Sequence, residues 1–160
     1  MKNPKNKAIK IILEEFKKKE PNYDYELLNE NDEKLDKMFV DKENLEVLKI
    51  SFKDVDEMQP VEFISYDNMT EMSIYVEGLV RNTDISERYD MLEACNQLNG
   101  QIKYMKFLLN ENGDVNILCD LPWSIASNDL GETALIMIDK IKAVKKIVFE
   151  FFDEVVLAKA

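Results

Sequence analysis

The chain has 160 residues, 46% of them apolar and 33% charged, which suits one globular domain with a real core and excludes a disordered chain. Its formal charge of −11, from 32 acidic and 21 basic residues, disfavours a nucleic-acid partner, because the average field repels a phosphate backbone. The complete absence of histidine removes Ser-His-Asp and Cys-His catalysis and the usual near-neutral acid/base group.

Asn3 followed by Pro4 predicts a helix start, with Ile9, Ile12, Leu13 and Phe16 forming one apolar stripe. Lys17 to Lys19 suit the negative end of that helix, and Pro21 ends it. Lys10 breaks the apolar stretch, Glu14 and Glu15 follow it at once and no small-residue cleavage site comes after, so no signal peptide is expected here, and no stretch is long and apolar enough to span a membrane. Residues 22–43 are ambiguous. "YDYELL" fits a short strand or another helical turn, and "EKLDKMF" has weak helical spacing.

Three strand-like runs follow: Leu45 to Phe52, Val61 to Tyr66 after Pro60 as a breaker, and Glu71 to Val80 after "DNMT". In the third, Met72, Ile74 and Val76 alternate with Glu71, Ser73 and Glu77, predicting one buried and one wetter face of an antiparallel meander. "TDISERYDMLEACNQLNG" predicts a second helix, with a capping box at Asp84 and Glu87 and a left-handed cap at Gly100. Ile85, Tyr89, Leu92 and Cys95 or Asn96 give one row on it, and Met91, Cys95 and Leu98 a neighbouring one.

A hairpin then pairs Ile102–Leu109 with Val115–Leu121 across a turn where Gly113 supplies positive φ. Val115, Ile117, Cys119 and Leu121 face one way, Asn116 and Asp120 the other, and Pro122 stops the strand. Leu130 to about Leu157 forms the last helix. Its apolar arc, centred on Met137, Ile141, Val144, Val148, Phe151 and Val155 and widened by Ile138, Phe149, Phe152 and Val156, is roughly 160° wide, against roughly 100° for an ordinary surface helix. Such a helix is expected to meet both its own sheet and a second helix or subunit. The elements thus describe a single α+β domain over 1–160, in the order α-β-β-β-α-β-β-α, with an antiparallel sheet packed on helices.

The residues that carry chemistry elsewhere have structural explanations here. There is no phosphate-cradling glycine loop and no nucleophile elbow. "LLNENGDVNILC" places Leu108 and Cys119 where a calcium loop needs its end ligands, so it is a turn. The carboxylates of Asp54–Glu57 are expected to be a solvated loop rather than a metal site. Cys95 and Cys119 sit in apolar patterns as free thiols, which suits a reducing cytoplasm. Asn96 and Asn99 share a side of the second helix, where they would close its last turn, bond an adjacent strand or grip a ligand amide. Trp123, the one tryptophan, follows Pro122 as a lid on the core or a binding anchor.

From the strand triplet through "EACNQLNGQIKYMKFLLNENGDVNILCDLP" to the long last helix, the chain resembles the YbjN-like family of bacterial sensory transduction regulators. The residues carrying the likeness are Asn96, Leu98 and Asn99, then Phe107, Gly113 and Asp114, then Asp120 to Pro122. The resemblance implies a type III secretion chaperone-like fold, often dimeric and acidic, and brings no catalytic residues or cofactor. The expected function is a non-enzymatic, chaperone-like or adaptor-like module, a homodimer that also binds a partner protein. Met72, Ile74, Met91 and Cys95 are its candidate contacts. The alternative is a small-molecule-binding regulator whose pocket would be lined by Asn96, Asn99, Tyr104 and Trp123. No spacing supports a carboxylate-only enzyme.

Overall fold

The computed structural model describes residues 3–29, 32, 44–54, 57–66, 71–81, 88–122 and 127–157. The fold is α+β, with helices α1 (Lys7–Lys19), α2 (Arg88–Gln101) and α3 (Ser127–Leu157). The strands are β1 (Asp24–Asn29), β2 (Glu46–Asp54), β3 (Glu57–Ser65), β4 (Glu71–Val80), β5 (Lys106–Leu109) and β6 (Val115–Pro122). They form one antiparallel sheet in the order β1-β2-β3-β4-β6-β5. Four strands therefore precede α2, not three: all of "YDYELL" but its first tyrosine is strand, paired with β2 from Asp24↔Ser51 to Asn29↔Glu46. The chain divides into two compact units, 1–74 with 120–137 and 75–119 with 138–160.

In the first unit α1 lays Ile9, Ile12, Leu13 and Phe16 onto β2 and β3. The Phe16 ring meets Phe63 edge-on at 5.8 Å, a favoured aromatic geometry. The helix begins three residues later than Asn3–Pro4 predicts. Asn6 is the cap, its Oδ1 accepting from the N–H groups of Ala8 at 2.9 Å and Ile9 at 3.2 Å. Tertiary partners fix that choice: the Glu46 carboxylate accepts from Lys5 N–H (2.8 Å) and Asn6 N–H (2.6 Å), and Asn6 Nδ2 donates to Ser65 Oγ (2.8 Å). At the other end the Tyr25 hydroxyl sits against the carbonyls of Phe16 and Glu20. Burial first, then Glu20 and Tyr23, pushes its pKa up to about 12, which keeps it a donor.

Pro60 does not break a strand. β3 runs through it, in register from Glu46↔Ser65 to Asp54↔Glu57, and the pairing on either side outweighs one missing donor. Lys49 and Glu62, opposite each other, form an ion pair at 3.1 Å. Gly131 of α3 lies so close to α1 that an added Cβ would sit 2.6 Å from Glu15 Cβ and 3.5 Å from the Ile11 carbonyl oxygen. Ser73 Oγ donates to Asp120 Oδ1 at 2.9 Å.

In the second unit α2 buries Met91, Cys95 and Leu98, the second of its two predicted rows, together with Ala94, and leaves Tyr89 and Leu92 exposed. The predicted cap at Asp84 and Glu87 lies outside the described residues. Gly100 is no left-handed cap: the helix runs on to Gln101, Ile102 N–H still reaches Leu98 C=O at 2.8 Å, and the glycines with positive φ are Gly78 and Gly113. That continued helical bond also delays β5 to Lys106. The predicted turn is present, with Gly113 at φ 85° and Asn110 Oδ1 accepting from the N–H groups of Asn112 and Asp114.

The wetter face expected of these strands is not wet at its centre. Tyr75 is buried on β4, and Asn116 is buried on β6. Asn116 Nδ2 donates to Tyr75 Oη at 2.7 Å, and its Oδ1 accepts from Gly78 N–H at 2.8 Å. Gly78, at φ 59°, is a left-handed residue inside a strand, and the Asn116 carboxamide satisfies the amide it turns aside. Asn116→Leu should cost about 1–3 kcal/mol, because it strands that N–H. Urea unfolding of Asn116→Leu beside Asn116→Asp, which keeps the acceptor, measures it.

Candidate functional site

Met72, Ile74, Met91 and Cys95, the expected partner contacts, are each at most 2% exposed. They are core, and offer no surface to a partner. The alternation that singled them out marks the buried side of a strand and of a helix. Burial also pushes the Cys95 thiol up to about 11, so at neutral pH it is not the nucleophilic thiolate. Cys119 is likewise free and buried.

Three of the four expected pocket liners, Asn96, Asn99 and Tyr104, lie among the described residues. Asn96 is exposed on α2. Asn99 is committed to the backbone of β5: its Nδ2 donates to Phe107 C=O at 3.0 Å, and its Oδ1 accepts from Phe107 N–H at 2.7 Å. Of the three roles open to it in the sequence, bonding to a strand is the one it plays. Tyr104 is 79% exposed, with the Lys140 ammonium 5.8 Å from its ring centroid, a weak attraction at such an open site. Trp123 lies outside the described residues, as do the side chains of Asp54–Glu57. Among the described residues no three His, Cys, Asp or Glu side chains gather as metal ligands.

Most of α3's wide apolar arc is covered. Met137, Ile138, Ile141, Val148 and Phe152 are buried, and Val144 and Phe151 are half-buried. Val155 and Val156 fall outside the described side chains. Phe149, on one margin, is exposed, with Lys145 Nζ 5.8 Å from its ring centroid. Ile136 and Ile147, which the arc did not include, are also exposed.

Family models, curated proteins and solved structures give no match to this chain.

Within the second unit some of the open side chains form a strip beside Tyr104. Lys140, Ala143 and Ile147 follow one another at helical spacings of three and four, which puts them on one side of α3. Tyr104 adjoins the strip at Lys140. Its members are an aromatic ring, a lysine stem, a methyl group and an isoleucine, the last 53% exposed. An arrangement of this kind can bury apolar area against another protein while the ammonium stays wet. No helix among the described residues is long and apolar enough to cross a membrane.

Proposed function

We propose that this chain is a non-enzymatic protein-interaction module, chaperone-like or adaptor-like, that self-associates as a homodimer and works in a reducing cytoplasm. The observation that carries the reading is the open strip of Tyr104, Lys140, Ala143 and Ile147. An isoleucine left in water on α3, with an open tyrosine from the turn before β5 nearby, is the kind of anchor that association buries. The lack of histidine, the two free buried thiols and the resemblance to YbjN-like regulators support the same reading.

Sedimentation equilibrium on the full chain tests it. The wild type should approach twice its 18.7 kDa mass as concentration rises. Ile147→Glu should weaken that association by roughly tenfold or more, since a carboxylate must then be desolvated in an apolar contact. Its folding stability should stay within about 0.5 kcal/mol, as for other exposed positions. A wild type that remains monomeric at every concentration sinks the homodimer.

A further inference from the structure

β5 is an end strand of the sheet. An end strand presents a row of N–H and C=O groups with which another chain's strand can pair. Which residues of β5 turn outward follows from its hairpin. Asn110 N–H donates across the turn to Asp114 C=O at 3.0 Å, and Leu108 pairs with Asn116 and Lys106 with Leu118. In an antiparallel ladder the inward-bonding residues alternate, so Lys106, Leu108 and Asn110 bond inward to β6. Phe107 and Leu109 therefore turn their backbone groups away from the sheet.

Asn99 occupies the first of these two positions. Its carboxamide donates to Phe107 C=O and accepts from Phe107 N–H, the same donor and acceptor that a residue of an added strand would present. The amide comes from α2, which also pins the far end of the hairpin, where Arg88 Nη1 donates to Asn110 C=O at 2.7 Å. On a strand of four residues, one side-chain amide leaves only Leu109 facing outward.

We propose that Asn99 is a strand-edge guard: its carboxamide imitates the backbone of a seventh strand and keeps β5 from pairing with β5 of a second copy of this chain. The self-association proposed above is separate, because it uses a side of α3 and no backbone of β5. The guard confines recognition to side chains at this end of the sheet and keeps edge pairing from competing with it.

Three full-length variants test the guard, each compared with wild type at matched concentrations by sedimentation and amide exchange. Asn99→Ala should raise the weight-average mass roughly twofold or more above wild type, as one edge joins another. Its Phe107 amide should exchange at least about tenfold faster in dilute solution and regain protection as the mass rises. Asn99→Ala with Leu109→Pro should return towards the wild-type mass, because proline removes one of the two outward donors and sets its ring on the edge without touching the inward ladder. Asn99→Asp keeps the acceptor, loses the donor and should fall between wild type and Asn99→Ala. If Asn99→Ala fails to fold, Asn99→Asp with and without Leu109→Pro decides in the same way. A folded Asn99 variant with wild-type mass at all concentrations overturns the proposal, and so does association that Leu109→Pro leaves intact.

Discussion

Gly131→Ala should destabilise the chain by about 1–3 kcal/mol, the cost of overpacking a close contact, although alanine is the better helix former by about 1 kcal/mol. The sign rests on what the new methyl group meets. At 2.6 Å from Glu15 Cβ and 3.0 Å from its Cγ, it strikes an atom fixed to the α1 backbone rather than the mobile end of a side chain. α1 cannot retreat, because Ile9, Ile12 and Phe16 are fully buried beneath it. Urea unfolding at constant pH reads the loss directly. Gly131→Leu should cost more, since its branches must enter the same gap. Glu15→Gly in the Gly131→Ala background should recover part of the loss, with a coupling of about 1 kcal/mol or more between the two sites. Full additivity of the two changes would mean that α1 and α3 do not meet here.

The helix crossing shows where sequence reasoning stops short. An isolated glycine inside a helical pattern costs about 1 kcal/mol against alanine, which raises the question of what it is packed against, and Gly131 is such a glycine. Periodicity alone, however, names no partner for it. The same limit explains the four core residues expected at an interface. Met72, Ile74, Met91 and Cys95 were legible as apolar faces, but a buried face and a partner-facing one carry the same spacing. Asn99 could be recognised as an amide near a helix end. Its role waits on β5 being an end strand, and strand order is a long-range property. Asn116 misleads for a related reason. Alternation places it opposite Val115 and Ile117, and only the turned-aside amide of Gly78 makes that second side worth burying. By contrast, Gly113 and the stripe of α1 are local, set by turn chemistry and by helical period, and both stand where the sequence puts them.

Glu46→Ala should cost about 2–4 kcal/mol, because hydrogen bonds to a charged group count for more than neutral ones. Glu46 looks unremarkable in the sequence, an acid near the start of an apolar run, yet it is only 7% exposed. Its two carboxylate oxygens take separate N–H groups, those of Lys5 and Asn6. Those amides lie at the positive end of α1, so the carboxylate also complements the helix dipole. Asn6 in turn holds the first turn through Ala8 and Ile9 and ties to β3 through Ser65. Removing the carboxylate leaves two amides short of an acceptor and loosens the residue that caps the helix. Glu46→Gln should be milder than Ala, since one oxygen still accepts while the amide nitrogen opposes the second N–H. Asn6→Ala alone should cost about 1 kcal/mol, the usual value of an N-cap. Combined with Glu46→Ala it should add less than its own cost, because the cap is already loosened. Melting followed by circular dichroism, at roughly 2–4 °C per kcal/mol for a chain of this size, ranks the four proteins. Should Glu46→Ala melt with the wild type, α1 would be held by its apolar stripe alone, and its starting point would be set by Asn6 without help from the sheet.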